Sequence, residues 1–327
     1  MRRQARRLRD FGHAVGRFEP GRNNAITDVP GVRVGQTTVL DRERGVYSGV
    51  TAIVPPAPVV PAGFHVANGY GKFVGATQLV ELGELETPVL LTSTLSTFRV
   101  ADALVSWVLD HATEPVISLN PVVGEINDSW LSSVDRRPVT AEHVYAALDG
   151  AHSGPVEMGN VGGGTGACAL GFKSGIGSAS RRLDLGGREA TVGVLVQANM
   201  GGELRLRGRT ISPDVAEAHG GDHGSCVVVV ALDAGCDTRQ LSRIAARGVF
   251  ALGRVGAAFS HGSGDYGLAF ATGAGSLSPA ALNLVFAGVM DCVEEAVIDA
   301  LLAAETVRAP SGRQALALPQ SAVPAPD

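Results

Sequence analysis

Apolar residues along this chain gather in short runs separated by glycine- and proline-bearing turns. Seven runs read as strands: 31–40, 49–56, 88–94, 115–124, 190–199, 225–232 and 266–272. Most are β-branched or continuously apolar, the pattern of strands buried on both faces. Three longer segments repeat apolar positions at helical spacing instead. Residues 98–111 place Val100, Leu104, Trp107 and Val108 on one side; 237–256 do the same with Leu241, Ile244, Val249 and Leu252. Segment 279–305 opens with Ser278 as an N-cap and Pro279 at the first helical position. Strands buried on both sides need helices to cover them, so the pattern predicts a layered α/β architecture.

Composition narrows this picture only slightly. The 327 residues are 45% hydrophobic and 18% charged, with 43 glycines, which bounds a tightly turned globular protein. Apart from a proline-rich stretch at 55–61 and a Pro/Ala tail at 313–327, no linker or repeat divides the chain. A single domain over 1–327 is expected. The net charge of −5 argues against a nucleic-acid partner. Residues 1–22 carry seven arginines and read as a solvated basic arm; charge interrupts them throughout, unlike a secretory signal. No apolar run approaches the roughly 18 residues of a membrane span. Cys168, Cys226, Cys236 and Cys292 show no metal-type spacing, and the histidines form no HExxH pattern. Reduced, mostly buried thiols in a cytoplasmic protein are expected, with little support for metal catalysis.

The candidate chemistry lies where turns meet strands. In "GGDHGSCVVVVALDAG" (220–235) a Gly-Ser-Cys triplet abuts a run of four valines. A serine hydroxyl is a poor nucleophile without a base. A cut between Gly224 and Ser225 would supply one, because a free α-amine titrates near 7.7–8. An ordinary loop-to-strand junction is the competing reading. Cys226 is a rival nucleophile, but in a strand it points away from the face of Ser225. "VQANMGG" ends a strand with Asn199, either a turn former or an oxyanion donor. "SHGSGDYGLAF" sets Ser263 and Asp265 before another strand, either as a polar turn or as a catalytic pair. "PVVGEINDSWL" places Glu125, Asn127 and Asp128 at a strand end, where a solvated Asx turn is the alternative. The glycine-rich run 159–178 imitates a dinucleotide fingerprint at Gly162, Gly164 and Ala167, but it lacks the preceding strand, and Phe172 breaks a P-loop register. It reads mainly as a packing or ligand-lining loop.

Taken together, "NAITDVPGVRVGQTT", "NPVVGEINDSWL", "GGGTGACALGFKSGIGSASR", "VGVLVQANMGG", "GSCVVVVALDA", "GSGDYGLAFAT" and "EEAVIDALLAAETV" resemble the DmpA/BapA family of self-processing aminopeptidases. This family comprises L-aminopeptidase D-esterase/D-amidases and β-aminopeptidases. The resemblance covers nearly the whole chain. It implies a four-layer αββα sandwich, cut into 1–224 and 225–327 and assembled as a homotetramer. It further implies Ser225 as N-terminal nucleophile, Gly224 as the residue before the cut, and Ser263 with Asp265 as the assisting pair. Asn199 matches the oxyanion amide and Glu125 an acid near the substrate's amino group. No metal or cofactor is implied, and the substrate is a small peptide or amino-acid amide or ester. Trp130 departs from the pattern, standing where relatives often carry tyrosine. An indole N–H donates but cannot accept, which bears on substrate preference and on cutting. The alternatives are a polyamide hydrolase or acyltransferase of the same fold, or an inactive, uncut homologue.

Overall fold

A computed structural model describes residues 7–213 and 224–325. The chain runs through β1 (Arg33–Asp41), β2 (Val46–Val54), β3 (Val60–Gly69), β4 (Phe73–Val74), α1 (Ala76–Glu81), β5 (Glu84–Leu85), β6 (Val89–Ser93) and α2 (Thr97–His111). It continues through β7 (Val122–Ile126), α3 (Ala141–Asp149), β8 (Ile176–Asp184), β9 (Glu189–Asn199), β10 (Ser225–Leu232), α4 (Thr238–Ala251), β11 (Gly264–Ala271) and α5 (Pro279–Ala303). One sheet has the order β1-β2-β6-β7-β4 and the other β8-β9-β10-β11-β3-β5.

The valine run explains the layering. Within β10, Val227, Val229 and Ala231 face the other sheet, where they meet Val89, Leu91 and Val122. The alternate residues Cys226, Val228, Val230 and Leu232 pack beneath α4 and α5, against Leu241, Ile244 and Val289. On the far side, Val50, Ala52, Leu90 and Val123 are covered by Val100 and Leu104 of α2 and by Val144 and Ala147 of α3. The result is the αββα sandwich. Both long C-terminal helices begin with side-chain caps: Asp237 accepts from Gln240 N at 2.7 Å and Ser278 from Ala281 N at 3.2 Å. No helix among the described residues is long and apolar enough to cross a membrane.

Several expectations are corrected. The strand expected at 115–124 begins only at Val122; Ile117 is fully exposed, and Asn120 is instead bound to Glu86. Pro121, which lacks an N–H, stops the ladder from extending backwards. β3 was hidden by the proline stretch, because Pro61 sits near the strand's start, opposite short β5. β8 was hidden in the glycine-rich run because its buried residues include Ser178, Ser180 and Arg181.

The basic arm is only partly solvated over residues 7–22. Leu8 and Val15 join the core, and Arg7 and Arg9 bind acids of α5, whereas Arg17 and Arg22 are exposed. Arg7 Nε pairs with Asp299 Oδ2 at 2.7 Å, and Arg9 Nε with Glu295 Oε1 at 2.8 Å. Glu295 also accepts from Asn24 Nδ2 and from the fully buried Arg181. Burial alone would raise its carboxyl, but Arg181 and Arg9 hold it below the usual range. The tail packs as well: Leu318 and Val323 enter the core, and Pro324 O lies 2.7 Å from His13 Nε2. Removing one partner of a buried pair strands the other charge. Glu295→Ala is therefore expected to cost about 3–5 kcal/mol, read as a lowered urea midpoint.

Candidate active site

Three strand ends converge. β9 runs antiparallel to β10 with Asn199, its last residue, opposite Ser225, the first of β10. On the other side β11 runs parallel to β10, so Gly264 stands opposite Ser225. This register gathers Asn199, Ser225, Ser263 and Asp265 from segments far apart in sequence. All four side chains are buried.

Ser225 Oγ donates to Gly224 O at 2.6 Å, so the hydroxyl lies against the peptide bond it would break. Gly224 is needed by close approach: a Cβ there would lie 2.9 Å from Gly201 N and 3.3 Å from Ser263 Oγ. Ser263 Oγ in turn donates to Asp265 Oδ1 at 2.9 Å, while Asp265 Oδ2 has no hydrogen-bond partner among the described residues. Burial raises the Asp265 carboxyl to about 6, against the opposing hydrogen bond from Ser263. Cys226 is fully buried beneath the helices; burial, reinforced by the charge of Asp265, pushes its thiol well above the usual range. Such a thiol is a packing residue and not a nucleophile.

The Asn199 carboxamide is held at both ends. Its Oδ1 accepts from Cys168 N at 2.9 Å, and its Nδ2 donates to Asn127 O at 3.1 Å. That leaves the second Nδ2 hydrogen to meet a developing oxyanion. Asn127 forms the Asx turn, its Oδ1 accepting from Ser129 N at 3.1 Å.

Glu125 reaches the same region from the opposite sheet. Its Oε1 accepts from Lys72 N at 2.8 Å, and Oε2 is buried without a partner among the described residues. Gly71 marks the junction, since a Cβ there would lie 2.7 Å from Glu125 Oε1 and 3.3 Å from Gly264 Cα. Burial raises the Glu125 carboxyl, and Lys72 partly offsets this. Trp130 is tied to the C-terminal segment: Nε1 donates to Gln314 O at 3.2 Å, and Arg313 lies 4.8 Å over the ring. It packs in a cluster with Tyr47 and Cys168.

Two buried ionisable groups beside the site carried no clear role in the sequence reading. Asp128 accepts from Ser93 Oγ at 2.6 Å, and burial raises it to about 7. Lys173 is fully buried among loop carbonyls. The proximity of "NDS" to Glu125 points to the first, and the sequence offers the second only as the lysine of a broken P-loop register. The glycine run around them is a packing loop: Gly162–Gly164 form one buried turn, and Gly163 O accepts from Gln197 Nε2 at 2.7 Å.

Residues 24–315 match Peptidase family S58. Over 96% of its length the chain is 36% identical to Beta-peptidyl aminopeptidase BapA of Sphingosinicella microcystinivorans, covering 90% of that protein. The fold superposes on the L-aminopeptidase D-Ala-esterase/amidase of Ochrobactrum anthropi with TM-score 0.90 at 35% identity, over 96% of each chain. That protein is described as a prototype serine aminopeptidase with a variant of the Ntn hydrolase fold. A Burkholderia sp. β-aminopeptidase gives TM-score 0.88 at 37% identity, over 97% of each chain. With the match spanning most of its length and the same layered fold beneath it, this chain belongs to peptidase family S58.

Proposed function

We propose that the chain is a serine aminopeptidase that cuts itself between Gly224 and Ser225 and then works through the new N-terminal serine. The observation that carries this reading is the placement of Ser225 at a strand start, between Asn199 and the Ser263–Asp265 pair. In the uncut chain, Asp265 acting through Ser263 takes the proton of Ser225 Oγ. Oγ bonds to the Gly224 carbonyl carbon, the C–N bond breaks, and the proton passes to the leaving amine. Water then hydrolyses the ester, leaving a Gly224 carboxylate and a free Ser225.

In the cut enzyme, the Ser225 α-amine serves as base for its own hydroxyl, held by Ser263 and Asp265. The hydroxyl attacks a substrate amide or ester carbonyl, whose oxygen is stabilised by Asn199 Nδ2. The leaving amine takes the proton, and water releases the acyl group. Glu125, with its unpartnered Oε2, receives the substrate's ammonium group. Residues with a β- or α-amino group at the N-terminus are the substrate class, with D-amides and D-esters as a subsidiary range. Trp130 sets the shape of the site through its packing beside Cys168. Assembly into a homotetramer of cut chains belongs to the same reading.

Intact-mass analysis under denaturing conditions is the direct test. Fragments 1–224 and 225–327 are expected; a persistent full-length mass would refute the reading. Ser225→Ala is expected to abolish both cutting and hydrolysis of amino-acid p-nitroanilides. An acid raised to about 6 is neutral below that pH. Self-cutting is therefore expected to slow about tenfold per pH unit below 6 and to level off above neutrality. Asp265→Asn is expected to remove this dependence and lower the cutting rate about 100-fold. A pH-independent rate in the unsubstituted chain would exclude Asp265 as the proton acceptor.

A further inference from the structure

A lysine ammonium buried without a carboxylate partner is costly, and proteins rarely keep one. Lys173 is fully buried, and its Nζ donates to carbonyls: Ala167 O at 2.8 Å, Gly164 O at 3.5 Å and Ser174 O. These carbonyls span the loop that contains Cys168. Lys173 is also the residue paired with Cys168 in the two-strand hairpin of Cys168–Ala169 and Phe172–Lys173. Cys168 N is the group that holds Asn199 Oδ1. An Asn carboxamide can flip by half a turn, exchanging oxygen for nitrogen. Because the Cys168 N–H donates to Oδ1, it favours only the orientation that leaves Nδ2 available to the site. The same loop is joined to β9 beside Asn199, where Ala198 N donates to Gly175 O at 3.0 Å.

We propose that Lys173 is a positioning residue of the oxyanion site, pinning the 164–174 loop so that the Cys168 N–H fixes the carboxamide of Asn199. This rests on Asn199 being the oxyanion donor. The ammonium provides what no apolar side chain of that length could, three donors radiating from one buried point. Desolvation lowers its pKa to about 8, with the nearby Cys168 and Asp128 opposing, so a proton is lost in the mildly alkaline range.

The test compares Lys173→Met, Asn199→Ala and the double variant, using the cut fraction of each and an amino-acid p-nitroanilide. Asn199→Ala alone is expected to lower kcat about 100-fold; an unchanged kcat there would refute the oxyanion reading itself. Lys173→Met is expected to lower kcat about 10- to 100-fold with KM within about twofold. In the Asn199→Ala background the same substitution is expected to cost less than about twofold, because its effect passes through the missing carboxamide. Equal losses in both backgrounds, or a lowered Tm with intact kcat, would overturn the proposal.

Should Lys173→Met fail to fold, Lys173→Gln, which keeps two N–H donors on a shorter side chain, takes its place in the same comparison. A kcat loss that disappears in the Asn199→Ala background would support the proposal, and an equal loss in both backgrounds would overturn it.

Discussion

Everything at the site depends on the register of β9, β10 and β11. Side chains in a strand alternate with a period of two, so a one-residue slip of β10 would turn Ser225 toward the helices and Cys226 toward the sheet interface. The valine run prevents this slip only in part, since valine suits both faces equally. The register is set by what lies at the ends: Gly224 fits tightly against Gly201 and Ser263, and Leu232 pairs with Val192. The nucleophile is thus placed by backbone pairing, and its own contacts only refine it.

A second principle runs through the buried polar groups. Around Ser225 several are left with spare hydrogen-bonding capacity, notably Asp265 Oδ2, Glu125 Oε2 and Asp128 Oδ2. Beneath α5, by contrast, Glu295 and Asp299 are engaged by arginines and an asparagine. Unsatisfied acids are expensive in a folded interior. Their concentration beside Ser225 marks where stability yields to chemistry, and the α5 network lies on the other side of its sheet.

Legibility followed periodicity. Continuous apolar runs mark β6, β9, β10 and β11, helical spacing of apolar residues marks α2 and α4, and the Ser278–Pro279 start marks α5. β8 escaped because Ser178, Ser180 and Arg181 are buried there only through long-range partners such as Asn24 and Glu295. No local pattern reports such pairs. The catalytic candidates Asn199, Ser225, Ser263 and Asp265 were visible as polar residues at strand boundaries, yet their roles came from a family resemblance. Lys173 stayed hidden because a lysine in a glycine-rich loop looks solvated until the carbonyls that close over it are seen. The start of the arm misleads for the same reason: Arg7 and Arg9 look solvated until α5 is brought beside them.

That arm has a topological consequence. Residues 7–213 lie before Gly224 and contribute both outer strands of the larger sheet, whereas β10, β11 and α5 lie after it. A chain severed at Gly224 would remain interlaced, its halves alternating within one sheet and clasped by Arg7 and Arg9 on α5. Before the cut, bringing those halves together is a loop closure within one molecule; afterwards it is an encounter between two. Folding would then become a one-way passage: easy for the precursor, and dependent on concentration for the matured halves once they have been pulled apart.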